Sequence, residues 1–114
     1  MLYRIGTVHE IPRVESRLPA CVRKELLHST SVLDEAYGAD RNYLQSGGYS
    51  LIAETEEDRE AIRSVIRFES HSCEWADRHG DWVAALYLMN DDFSIVVFMP
   101  VAIAPVEIKN ELED

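Results

Sequence analysis

The chain has 114 residues, 46% hydrophobic and 28% charged, with a formal net charge of −10. That length supports one domain able to fold without metal or disulfide staples, and the composition excludes wholesale disorder. Residues 1–48 carry six basic and six acidic side chains and residues 49–114 carry five and fifteen, a field that excludes direct nucleic-acid binding unless Arg13, Arg17, Arg23, Lys24 and Arg41 form a local basic patch.

The amino terminus, MLYRIGTVHEIPR, lacks the long apolar core of a secretion signal, so a cytoplasmic location with Cys21 and Cys73 reduced is expected. The longest apolar run, 94–105, contains two prolines and falls short of the about 20 residues a membrane helix needs. No membrane association is expected.

Residues 2–8 read as a short strand, with Tyr3 and Ile5 alternating against Arg4 and Gly6 before Pro12 interrupts it. From about Pro19 the period becomes helical. Val22, Leu26, Val32, Leu33 and Ala36 form the expected buried stripe, and Arg23, Lys24, Asp34 and Glu35 the wet face, with Gly38 as the stop. Residues 39–48 read as a loop, and Gly47–Gly48, which lacks the lysine and following helix of a phosphate loop, as a turn. Residues 49–54 predict a strand.

Thr55 is a strong helix start, because its hydroxyl can cap free amides and Glu56, Glu57 and Asp58 lie against the positive end of the helix dipole. Ala61, Ile62, Val65 and Ile66 supply the buried side. Arg59, Arg63 and Arg67 recur every four residues, with Glu56 and Glu60 placed to offset them. Residues 73–78 predict a strand whose Cys73 and Trp75 face the core, followed by a turn at His79–Gly80–Asp81. Residues 82–99, WVAALYLMNDDFSIVVFM, predict an antiparallel hairpin turning at Asn90, Asp91 and Asp92. Both of its faces are apolar. Trp82, Leu86 and Leu88 oppose Val83 and Tyr87, and Phe93, Ile95 and Val97 oppose Val96 and Phe98, so a helical layer must cover one face and something else the other. Pro100 and Pro105 limit further pairing, and residues 107–114 read as a short helix or an acidic tail.

Chemistry-bearing residues cluster only at His71, Cys73, Asp77 and His79. On a continuous strand these odd-numbered residues share a face, yet eight steps of about 3.3 Å separate the two histidines by roughly 26 Å. One ion could use an adjacent pair but not the set. Glu74 and Asp77 would disfavour a Cys73 thiolate. No catalytic residue, metal ligand or cofactor is assigned.

The expected fold is therefore α+β, a mainly antiparallel sheet of four or five strands with two helices packed on one face, in the order β-α-β-α-β-β-β. The expected function is that of a non-enzymatic protein-interaction module. It self-associates through Trp82, Leu86, Tyr87, Phe93, Val96 and Phe98, burying on the order of 1,000 Å² or more. An alternative is an acidic decoy or inhibitor of a nucleic-acid-binding protein, using Glu56, Glu57, Asp58, Glu60, Asp91 and Asp92. A second alternative is a small metal or thiol enzyme centred on residues 71–79. Net acidity also serves solubility alone.

Overall fold

The computed structural model describes residues 2–37, 47–90 and 93–112. Their strands are β1 (Tyr3–Ile5), β2 (Gly47–Ile52), β3 (Cys73–His79), β4 (Trp82–Asn90) and β5 (Phe93–Pro100), and their α-helices are α1 (Ala20–Tyr37), α2 (Glu56–Ile62) and α3 (Val106–Leu112). Short 3-10 segments span Val8–Arg13, Glu15–Arg17 and Val101–Ile103. No helix among the described residues is long and apolar enough to cross a membrane.

The five strands form one mixed sheet in the order β1-β2-β5-β4-β3. Three ladders are antiparallel, while β2 and β5 pair in parallel from Gly47 opposite Phe93 to Ile52 opposite Phe98. The sheet is thus mainly antiparallel but mixed, and its one parallel ladder is long-range: hydrophobic alternation makes β2 a strand but does not choose its neighbour. It also takes Gly47 and Gly48 into β2, so these residues are strand and not turn. Glycine keeps the amide and carbonyl that the ladder needs, at an entropic cost to the strand.

The helices lie on both faces of the sheet, correcting the expected one-sided packing. Val83, Ala85, Tyr87, Ile95, Val97 and Met99 pack with Ile62 of α2, Phe68 and Ile108 of α3. The residues between them, Ala84, Val96 and Phe98, pack with Ile5, Ile52, Ile11, Val14, Leu18 and the α1 residues Val22 and Leu26. Strand period two thus divides the hairpin between two cores, and its double-sided apolarity is largely satisfied within one chain.

Of the predicted α1 stripe, the side chains of Leu33 and Ala36 lie outside the described residues. Val22 and Leu26 are buried, but beyond them Ser29 and Thr30 face inward, and Val32 is 49% exposed. Ser50 and Ser94 are buried on the sheet face that α1 covers. Ser29 donates to Glu25 at 3.2 Å; Thr30 Oγ1 and Ser50 Oγ have no partner among the described residues.

α2 begins where Thr55 predicts. Its hydroxyl accepts from the Asp58 amide at 3.2 Å, and the Asp58 carboxylate accepts from the amides of Thr55 and Glu54 at 3.2 and 3.0 Å. The helix ends at Ile62, leaving Ile66 and Phe68 to enter the core from the following turns while Val65 stays exposed. The Arg59 guanidinium ties α2 to the last 3-10 segment by donating to the Ile103 carbonyl at 2.9 Å.

Two outcomes follow from this cap. Thr55→Ala should lower stability by about 1 kcal/mol in urea unfolding, and an unchanged midpoint would refute the capping role. Burial pushes the Asp58 carboxyl up, but hydrogen bonds led by the Glu54 amide outweigh it and hold the group below its ordinary 3.8. A depressed folded pKa stabilises the protein above the unfolded value, and that contribution disappears as pH falls through the folded one. Asp58→Asn should therefore cost stability at pH 7 and progressively less as the pH drops below about 4. A pH-independent gap between variant and parent would contradict it.

Candidate functional site

The structure separates the residues at 71–79. His71 lies before β3, where its Nδ1 accepts from the Arg67 amide at 2.9 Å and closes the turn after α2. Within β3 the register slips, Cys73 standing opposite Tyr87 and Trp75 opposite Leu86. This bulge places Cys73 and Trp75 on opposite faces, where uninterrupted strand parity had placed them together. Cys73 packs at the margin of the α2–α3 core. Trp75 is 37% exposed instead of facing that core.

His79, on the α1 side, meets residues that the linear sequence keeps far apart. Its Nε2 lies 3.9 Å from Glu25 Oε2 and 3.8 Å from Asp77 Oδ2, and has no hydrogen-bond partner among the described residues. Nearby, Cys21 Sγ comes within 3.3 Å of where a Cβ on Gly80 would sit; Gly80 turns with φ +65°. The spacing of Cys21 and Glu25, one helical turn apart, is the only sequence signal that could have pointed there. Among the described residues no three of His, Cys, Asp and Glu are grouped to hold a metal ion.

Of the expected interaction residues, Tyr87, Val96 and Phe98 are at most 3% exposed inside the chain's own cores. A partner cannot reach them without opening the fold. Trp82 and Leu86 are half-buried at the margin of the α1 core. The Phe93 side chain, Asp91 and Asp92 lie outside the described residues. Of the expected acidic surface, Glu56, Glu57 and Glu60 are exposed, whereas Asp58 is buried in the α2 cap. Glu60 also accepts from Arg59 and Arg63 at 3.0 and 3.1 Å, which breaks the acidic ridge.

An uncovered apolar strip remains. Trp75 pairs with Leu86 across the β3–β4 ladder, and Leu88, two residues further along β4 on the same face, is 51% exposed. α1 lies against β2, leaving the outer sheet partly open on this side. Cys21, Glu25 and Val32 fall within about 40° on one helical flank at 100° per residue, so the flank that reaches Gly80 and His79 also carries Val32. Beside the strip, Glu74 and Asp77 are exposed and acidic. The edge strand β3 joins a bulge to five charged or titratable side chains, features that discourage backbone pairing at that edge.

The thiol is unsuited to nucleophilic work. Burial, reinforced by Glu111, pushes Cys73 up to about 11, which leaves about one molecule in a thousand as thiolate at pH 8. In a Cys21→Ser variant, iodoacetamide should label Cys73 slowly in the native protein and rapidly in urea. Equal rates by mass spectrometry would overturn this assignment.

Compared with protein-family models, curated proteins and solved structures, the chain matches none.

Proposed function

We propose that this protein is a non-enzymatic interaction module that self-associates through the outer β3–β4 face. The supporting observation is that Trp75, Leu86 and Leu88 stand side by side on one sheet face, with Trp75 and Leu88 exposed while most large apolar side chains are buried. An exposed tryptophan beside two leucines is more typical of an interface centre than of a solvated surface, because aromatic side chains are enriched there. The strip narrows the expected contact to the half of the hairpin that the chain's own helices leave open. A decoy role for the acids of α2 has less support, because Arg59 and Arg63 interleave with Glu60 and Asp58 points inward.

Self-association of a chain with net charge −10 works against like-charge repulsion, sharpened by Glu74 and Asp77 beside the strip. The expected salt dependence is therefore opposite to that of binding a basic partner. Sedimentation at micromolar concentration should show a dimer that tightens as salt rises from about 50 to about 500 mM. Leu88→Glu should weaken it about tenfold or more with little loss of stability, since Leu88 is half exposed. A monomer at every concentration and salt level would refute the proposal.

A further inference from the structure

A second surface lies on the outer side of α1, away from the strip. Val8, Ile11 and Pro12 of the first 3-10 segment form one wall of an open cleft of about 520 Å³, and Arg23, Lys24 and Leu27 of α1 form the other. Leu27 is 52% exposed. At 100° per residue Arg23 lies about 40° to one side of it and Lys24 about 60° to the other, so an apolar knob projects between two cations.

Arg13, Arg17, Arg59 and Arg63 have carboxylate partners, whereas among the described residues Arg23 and Lys24, like Arg78 and Lys109 beside Val101 and Leu112, have no ion pair; only the α1 pair flanks a half-exposed leucine. Arg41, once grouped with them, lies outside the described residues. Two free cations do not make a nucleic-acid surface, which neutralises many phosphates at once. Flanking an apolar wall, they match a ligand that brings both hydrocarbon and negative charge.

We infer that this cleft docks an acidic amphipathic segment of another protein, with leucine-like side chains against Ile11, Pro12 and Leu27 and carboxylates on Arg23 and Lys24. The cleft's volume accommodates side chains, and its openness along α1 suits a peptide running over it better than an enclosed small molecule.

A fluorescein-labelled synthetic helix with leucines every third or fourth position and glutamates elsewhere tests this. It should bind with micromolar affinity and shift the amide resonances of Ile11, Arg23, Lys24 and Leu27. Affinity should fall about tenfold between about 50 and about 500 mM salt. The pair Arg23→Glu and Lys24→Glu should abolish binding while leaving circular dichroism, melting temperature and sedimentation behaviour unchanged, which keeps this site separate from the β3–β4 strip. Leu27→Ala should weaken binding several-fold without changing its salt slope. Equal binding of the helix with lysines in place of glutamates, resonance shifts elsewhere, displacement by dodecanoate, or no binding at millimolar peptide would each overturn the proposal. Loss of self-association in the charge-reversed variant would also overturn it, by assigning the cleft to a second copy of this chain.

Discussion

Burial of both faces of β4 and β5 is the constraint from which the remaining layers follow. Val83, Ala85, Tyr87, Ile95, Val97 and Met99 on one side and Ala84, Val96 and Phe98 on the other all require cover. A two-stranded hairpin with two apolar faces has no stability of its own in water. It becomes stable as the middle of three layers, and each helix is placed by the face it must close. Backbone ties then fix these covers at the sheet's margins, as where Ala53 donates to Phe98 and Val101 to Asp81 at 2.9 and 2.8 Å.

Signals carried by neighbouring residues were legible in the sequence, and those carried across the fold were not. Thr55 and Asp58 announce the α2 start, because a cap involves groups three residues apart. The hairpin announces itself by two apolar runs around an acidic turn. In contrast, nothing local to β2 says that β5 will be its parallel neighbour. The Cys73–Trp75 bulge inserts one residue without a turn signature and reverses the face of everything before it. Glu25 and His79 meet only because α1 crosses the sheet end where β3 turns into β4. The apolar strip was half legible: Leu86 belonged to the expected interface, but Leu88 and Trp75 emerge only once the position of α1 is known.

Charge and hydrophobicity are sorted differently over the two exposed sites. On the β3–β4 face the apolar side chains are accompanied by acids; beside α1 they are accompanied by cations. This contrast follows the sequence, because residues 49–114 carry the whole acidic excess while α1 begins in the balanced part of the chain. The two exposed apolar patches thus sit in opposite electrostatic surroundings, the condition under which a ligand suited to one would be repelled by the other.

The hydroxyls beneath α1 give that helix two unequal halves. Val22 and Leu26 seal its first turns against the sheet, whereas the turn at Ser29 and Thr30 brings hydroxyls to the same side, and those of Thr30 and Ser50 have no described partner. An unmet buried hydroxyl costs roughly 1–3 kcal/mol, so this seam contributes much less adhesion than hydrocarbon of the same area. Its free energy of local opening should lie below that of the Val22–Leu26 contact. Backbone protons around Ser29 and Thr30 should therefore trade with solvent before those of Val22 and Leu26.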